Sequence, residues 1–147
     1  MTSLGFEDYL NPYKITMADT ACVLKNGGMI TELDEFERVI TNITDGTIMG
    51  WKYFEFGQDS GSEAVVKIKI RGCGCIGKIR VFIDSPESEE IGCGEFGMND
   101  GVVTIPVKNV CGRHAVYFKA EAGYEGWAKS MFENRCLFEL KSFVFKK

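Results

Sequence analysis

Apolar and polar residues alternate along several short segments of the chain, which is the pattern of half-buried β-strands. The segment Ala64–Arg71 alternates apolar with basic residues and so places its apolar side chains on one face. The segment Lys78–Asp84 repeats this pattern. The glycine-rich run 72–77 between them is typical of a turn, so we predict that these two strands form a β-hairpin.

The same alternation, punctuated by turns such as Asp45-Gly46 and Asn99-Asp100-Gly101, predicts further strands. They are Tyr13–Thr20, Val39–Thr44, Ile48–Phe56, Ile91–Phe96, Val102–Val107, Arg113–Lys119 and Leu137–Phe145. One or two turns of helix are expected at Thr31–Arg38 and around Ala128–Glu133. Many short strands at this spacing predict an antiparallel β-sandwich or barrel. We expect one domain over 1–147, with 1–12 as an N-terminal extension or linker.

The composition fits a globular domain and narrows the range of partners. The chain has 147 residues, 45% of them hydrophobic, and a formal net charge of −4. This length is sufficient for a continuous core, whereas the negative charge argues against a general nucleic-acid binder. No apolar run approaches the roughly 20 residues that span a bilayer. No signal peptide is expected, because Met1–Asp8 lacks a basic region followed by an apolar stretch. The chain is therefore either intracellular or a module of a longer secreted protein.

The six cysteines allow two interpretations. They are Cys22, Cys73, Cys75, Cys93, Cys111 and Cys136. Six cysteines suit three disulfides in a secreted domain. Since several stand in apolar, strand-like runs, we favour mostly reduced, buried thiols, which pack as small hydrophobic groups. A zinc site is not expected, because the Cys73-x-Cys75 spacing matches no zinc ribbon.

Signatures of catalysis are weak. His114 is the one histidine, and it stands in an apparent strand with no serine or cysteine motif beside it, which favours a packed or hydrogen-bonded structural role. The acidic run at Glu87, Glu89 and Glu90 is typical of a solvated turn. We therefore expect a non-catalytic protein, although a pair of carboxylates brought together by folding could still hydrolyse a glycoside.

Two surfaces are candidates for binding. The outward residues Lys67, Lys69 and Arg71, with Lys78 and Arg80 on the predicted partner strand, would form a basic patch, although an ordinary solvated face is favoured. The segment 121–135 between two strands carries Tyr124, Trp127 and Phe132. On an exposed loop these aromatic rings could stack on sugar rings, and otherwise they would close one end of the sandwich.

Four segments along the chain contain short motifs of apolar residues in fixed order with glycine, acidic or basic residues. They read ITDGTIMGWKYFEFG (43–57), KIRVFIDSP followed by IG (78–92), GRHAVYF (112–118) and LFELKSFVF (137–145). In this order they resemble the I-x-N-G-D, I-R-L-D-S-P, G-x-H-x-L-Y-L and F-N-L-D-W-F-x-F motifs of carbohydrate-binding module family 6. The resemblance runs from about Lys14 to Phe145.

This resemblance implies an all-β, two-sheet jelly roll that is secreted as part of a larger glycoside hydrolase. The module would be non-catalytic and would hold the enzyme on xylan or another plant-wall β-glycan. Its partners would be a polysaccharide or oligosaccharide and the covalently linked catalytic domain, with no nucleic acid and no membrane. The alternative is a structural or protein-interaction sandwich that has lost glycan binding.

The resemblance also implies a structural calcium, but the corresponding residues differ. The opening E-A-E of the family reads Met17-Ala18-Asp19, and the aspartate of the final strand corresponds to Lys141. Since Ca²⁺ prefers several oxygen ligands, we predict that the calcium is absent, that the chain has no metal or other cofactor, and that Lys141 pairs with Asp19.

The sugar cleft implied by the family is altered too. Asn42 stands where a tyrosine is usual, the loop containing Asp100 lacks a ring at its tip, and Glu139 replaces an asparagine. Tyr124 and Trp127 could rebuild one aromatic wall. The predicted carbohydrate-binding residues are thus Asn42, Asp100, Tyr124, Trp127 and Glu139, with no catalytic residue.

Overall fold

A computed structural model describes residues 14–32, 38–56, 64–85, 88, 90–108, 112–123, 127 and 136–146. The described residues form eleven strands and a 3-10 helix at Ala18–Thr20. The strands are β1 (Thr16–Met17), β2 (Val23–Lys25), β3 (Met29–Glu32), β4 (Arg38–Thr41), β5 (Ile48–Glu55), β6 (Ala64–Gly72), β7 (Gly77–Ile83), β8 (Glu90–Phe96), β9 (Gly101–Val107), β10 (Arg113–Ala122) and β11 (Phe138–Lys146).

The strands follow the order β2-β5-β10-β7-β8-β9-β6-β11-β4-β3, and β1 pairs with β11. All neighbours are antiparallel. β8 and β9 are paired at one residue pair only, Gly92 with Val107. The strands on either side of this junction form two layers, β2-β5-β10-β7-β8 and β9-β6-β11-β4-β3. The result is the predicted antiparallel β-sandwich of two sheets.

Aromatic side chains fill the space between the layers. Trp51 of β5 lies with its ring centroid 4.7 Å from that of Phe143 on β11, in the opposite sheet. Phe118 of β10 contacts the same ring edge-on at 4.8 Å. All three side chains are at most 2% exposed. The alternation that predicted the strands therefore delivers one apolar face from each sheet to a shared core.

The predicted hairpin of β6 and β7 is wrong. β6 lies between β9 and β11, whereas β7 lies between β10 and β8 in the other layer. The glycine-rich run between them carries the chain from one sheet to the other. A local pattern of alternation shows which side chains of a strand face the core. It does not specify which other strand pairs with it through backbone hydrogen bonds.

The predicted basic patch fails for the same reason. Lys67 and Lys69 lie on β6, and Lys78 and Arg80 lie on β7, so the two sets of charges are on different sheets. Arg80 is also held between Glu90 and Glu121, each at 2.7 Å. These basic residues therefore form no common cross-strand surface.

Some other boundaries differ from the predictions. The predicted strand Tyr13–Thr20 is reduced to β1 and the 3-10 helix that follows it. Thr31 and Glu32, where a helical turn was expected, belong to β3. Strands β2 and β3 were not predicted at all. Residues 33–37 and the expected helical turn around 128–133 lie outside the described residues, as does the expected extension 1–12. The described part contains no helix long and apolar enough to cross a membrane.

Candidate functional site

One end of the sandwich collects several connections, and we call it the loop end. It comprises the connections 42–47, 73–76 and 97–100 and both ends of the segment 123–137. Backbone hydrogen bonds tie them together, for example Gly123 N–H to the Ile76 carbonyl at 2.9 Å and Leu137 N–H to the Ile43 carbonyl at 2.6 Å. Segments that are far apart in sequence thus meet in one place, where a ligand could touch several of them at once.

A polar row crosses three strands at this end. Glu139 of β11 is paired in register with Arg71 of β6, and its neighbour Leu140 is paired with Ile40 of β4, which places Thr41 beside it. The Arg71 guanidinium donates to Glu139 Oε1 at 2.9 Å, and the Thr41 hydroxyl donates to Oε2 at 2.5 Å. Both oxygens of the carboxylate are therefore held in place, while 44% of the Arg71 side chain remains exposed.

The predicted site residue Asp100 lies next to this row. Its Oδ1 accepts a hydrogen bond from the backbone N–H of Gly72 at 2.8 Å. A Cβ at Gly72 would lie 2.2 Å from the Met98 carbonyl oxygen, so only glycine lets the 97–100 turn approach this closely. Asp100 and Glu139 are thus brought to neighbouring positions.

Asn42 directly follows Thr41 and completes this group. It is an exposed residue in the left-handed region, with a φ of 56°, a conformation that asparagine tolerates better than most residues. Its backbone carbonyl accepts a hydrogen bond from the Gly28 N–H at 2.9 Å. The residue therefore lies at the loop end, at the turn where β4 ends.

The aromatic loop is described at one position only. Trp127 is 78% exposed, the most exposed of the large hydrophobic residues in the described part of the chain. Tyr124 lies outside the described residues. The segment that carries Trp127 leaves β10 beside Ile76 and returns to β11 beside Ile43, so both of its ends are fixed at the loop end.

The residues at the calcium positions do not fit a hard dication. Met17 of β1 pairs in register with Ser142 of β11, the residue after Lys141. A thioether and an ammonium are not ligands for Ca²⁺. The side chain of Asp19 is outside the described set, so its pairing with Lys141 stays a prediction. Within the described ranges no three His, Cys, Asp or Glu side chains are grouped as a metal site.

The remaining candidate residues have structural surroundings. His114 Nδ1 lies 3.0 Å from both carboxylate oxygens of Asp84, which confirms the hydrogen-bonded histidine.

The five described cysteines are free thiols. The expectation that most are buried is wrong, because Cys22 and Cys73 are exposed and Cys93 and Cys136 partly exposed, with only Cys75 buried in the core. These cysteines stand near strand ends or on outward positions, which hydropathy alone does not reveal.

Two solved family 6 carbohydrate-binding modules share the two-sheet antiparallel sandwich of this chain. One, from Clostridium cellulolyticum in complex with xylose, has a TM-score of 0.77 at 17% identity and covers 94% of this chain and 100% of its own. Another, a β-1,3-glucan-binding module from Bacillus halodurans, has a TM-score of 0.75 at 18% identity, covering 95% and 100%.

The same fold occurs inside a longer enzyme, a glycoside hydrolase family 43 arabinoxylan arabinofuranohydrolase from Bacillus subtilis in complex with cellotetraose. The TM-score is 0.76 at 19% identity, over 95% of this chain but 28% of that one. No protein-family model and no curated protein matches the sequence. The chain thus has the β-jelly-roll fold of family 6 carbohydrate-binding modules, and the resemblance read from its motifs is confirmed.

The sequence missed two residues of the polar row. Arg71 was assigned to a basic patch, and Thr41 was not considered. Both become partners of Glu139 only through the pairing of β4, β11 and β6. The proximity of Cys73 and Cys136, whose sulfur atoms are 3.7 Å apart, was missed for the same reason.

Proposed function

We propose that this chain is a non-catalytic carbohydrate-binding module that binds plant-wall polysaccharide, xylan or another β-glycan, at the loop end. The observation that carries this proposal is the highly exposed Trp127 on a segment whose two ends are fixed at the loop end, where the Arg71–Glu139–Thr41 row also lies. Its fold is that of modules solved with xylose and with cellobiose.

An exposed indole suits a sugar ring because the C–H groups of one sugar face are apolar and pack against an aromatic ring. Trp127 thus provides an apolar platform. At 78% exposure the ring is accessible to a ligand.

The polar row supplies the complementary hydrogen bonds. Arg71 has five N–H donors, of which one bonds Glu139, and its side chain is partly exposed. The Asp100 and Glu139 carboxylates offer acceptor lone pairs, and Asn42 adds an amide. Since sugar hydroxyls both donate and accept, a row of donors next to acceptors matches neighbouring hydroxyl groups of one ring.

The module would serve a larger protein. Because this fold recurs as 28% of a longer glycoside hydrolase chain, we propose that the chain is covalently joined to a catalytic domain and secreted with it, and that it directs the enzyme to its polysaccharide. It would bind neither nucleic acid nor membrane.

The module would also lack the structural calcium, since Met17 and Lys141 replace carboxylates. We expect that Ca²⁺ leaves its melting temperature unchanged relative to EDTA. A rise in melting temperature with Ca²⁺ would show that the folded chain binds the ion and would contradict this expectation.

Affinity electrophoresis in gels that contain soluble xylan, β-glucan or pectin tests the function. We expect retardation by at least one β-glycan, and a loss of affinity of ~10-fold for Trp127→Ala. Tyr53→Ala is the matched control. Tyr53 is an aromatic residue with 50% exposure, but it precedes Phe54, which pairs with His114 at the opposite end of β10, roughly 27 Å from Ala122. This control should bind normally.

Two results would contradict the proposal. If no glycan retards the folded protein, the chain is a structural or protein-interaction sandwich within its parent enzyme. If glycan binding is lost in Tyr53→Ala but kept in Trp127→Ala, the site is at the other end.

A further inference from the structure

Two thiols meet at the loop end, on either side of the junction between β6 and β11. Cys73 directly follows the last residue of β6, and Cys136 stands two residues before the first residue of β11. Gly72 and Phe138 are paired in register, so the two cysteines are diagonal neighbours just beyond the ladder. Their sulfur atoms are 3.7 Å apart, in van der Waals contact.

We propose that Cys73 and Cys136 form a specific disulfide that fixes the C-terminal end of the Trp127-bearing segment to the connection between β6 and β7. A disulfide requires a sulfur separation of about 2.05 Å. Since both residues lie outside the regular strands, the two sulfur atoms can approach without breaking ladder hydrogen bonds of β6 or β11.

The other described cysteines are not placed for this reaction. Cys75 is buried in the core at 3% exposure, and Cys93 pairs in register with Arg80 on the other sheet. A ring between Cys73 and Cys75 would span only one intervening residue, which strains the disulfide geometry. Cys22 is exposed, but its backbone N–H bonds the Gly50 carbonyl of β5 in the other sheet. Among the five described thiols, the pair Cys73–Cys136 is thus the selective one.

The step is an ordinary thiol–disulfide exchange with a small-molecule disulfide such as oxidised glutathione. The Cys73 thiolate, the more exposed of the two, attacks one reagent sulfur and releases one reduced thiol, leaving a mixed disulfide. The Cys136 thiolate then attacks the Cys73 sulfur and releases the second thiol. Two protons pass from the protein to the two released thiols, the protein loses two electrons, and the reagent gains them.

The local environment sets the pH dependence of the reaction. Burial and the neighbouring Cys136, with Glu139 nearby, raise the pKa of Cys73 to about 12. In the reduced form the Cys73 thiol donates to Cys136 Sγ, and the Cys136 thiol donates to the Phe138 carbonyl oxygen at 3.2 Å. The disulfide removes both ionisable groups from this site. We expect formation to be slow at neutral pH and to accelerate as the pH rises, because only the thiolate attacks.

The test uses the full chain, reduced and then equilibrated with defined ratios of reduced and oxidised glutathione. Remaining thiols are blocked and the peptides are mapped by mass spectrometry without reduction. We expect a linked Cys73–Cys136 peptide, lighter by two hydrogen atoms, with Cys75 and Cys93 still as thiols. The crosslinked form should melt about 5–10 °C higher than the reduced form, as expected for closing a loop of this length.

Single substitutions make the test specific. Cys73→Ser and Cys136→Ser should each abolish the linked peptide, and Cys93→Ser should leave it unchanged. Circular dichroism checks that each variant is folded. The proposal is overturned if folded protein remains fully reduced at every glutathione ratio, or if Cys73 links to Cys75 or Cys93 instead. None of these readouts depends on a glycan, so the disulfide can fail while glycan binding stands, and the reverse.

Discussion

Two clusters of arginine, glutamate and cysteine lie on opposite sheets of this sandwich. They differ in the number of carboxylates that accept hydrogen bonds from the arginine. Arg80 of β7 donates from Nη1 to Glu90 and from Nε to Glu121, both at 2.7 Å. Arg71 of β6 donates to Glu139 at 2.9 Å. About a third of the Arg80 side chain is exposed, against 44% for Arg71.

The difference separates a structural ion pair from a candidate binding residue. Hydrogen bonds to two carboxylates raise the pKa of Arg80 above its ordinary value, and the guanidinium is held from two sides. Arg71 is held from one side, and it lies at the loop end beside Asp100, whereas Arg80 lies within the ladder between β10 and β8. A residue with spare donors at a junction of loops is better placed to bind a ligand.

The largest expected effect is on glycan affinity. Arg71→Ala removes donors that we assign to sugar hydroxyls, so affinity for the retarding glycan should fall ~10-fold or more, as expected for hydrogen bonds from a charged group. Arg80→Ala should change affinity by less than ~2-fold. Arg71→Lys should restore part of the binding, since an ammonium keeps the charge but not the planar fork. Isothermal titration calorimetry measures all three.

Equal losses of affinity in Arg71→Ala and Arg80→Ala would contradict the assignment of Arg71 as the binding residue and Arg80 as the structural one. Either Arg80 would also contribute to binding, or both variants would be misfolded. Urea unfolding of the same proteins separates these two explanations.

For stability the order of the two substitutions should be reversed, with the larger effect at Arg80. Arg80→Ala leaves Glu90 and Glu121 without their shared cation, so the free energy of unfolding should fall by about 1–2 kcal/mol after allowance for solvent screening. Arg71→Ala should lower it by less than about 1 kcal/mol, because a single, half-exposed pair is lost. Chemical denaturation measures both. A larger loss for Arg71→Ala would mean that Arg71 is the structural residue.

The smallest effect concerns the two thiols beside the arginines. Burial raises the pKa of Cys93, but the nearby Arg80 opposes this rise. No such cation offsets the pKa of Cys73, which is about 12.

Since alkylation by iodoacetamide requires the thiolate, modification of Cys73 should be slow near pH 8 and should increase up to about pH 12. Arg80→Ala should slow alkylation of Cys93 and leave Cys73 unchanged. Mass spectrometry of each peptide over a pH series measures the rates, and a slower Cys73 in Arg80→Ala would contradict this assignment.

The strands were largely predictable because their signal is local. The alternation in 64–71 and 78–84 is visible in consecutive residues, and both segments form strands close to the predicted bounds. The short β2 and β3 escaped prediction because strands of three and four residues carry too few positions for a period to show.

The candidate site was predictable only in part. Asp100, Glu139 and Asn42 were located by motif, and the structure brings them to the same end. Thr41 and Arg71 were not, since nothing near them in sequence marks them as partners of Glu139. The hydrogen bond from Thr41 to Glu139 joins residues 98 positions apart, and such contacts are decided by which strands pair.

The sequence by itself determined that this chain forms a two-faced β-structure with an apolar layer and a polar layer, because side-chain direction along a strand has a period of two. It also determined, through its motifs, the jelly-roll family it resembles. Only the tertiary structure decided that β6 and β7 lie in different sheets. The predicted basic patch therefore does not form, and Arg71 pairs with Glu139. The tertiary structure also placed Cys73 against Cys136. The physical reason is that alternation fixes which side chains face the core, whereas the order and register of strands depend on how the two whole faces pack together.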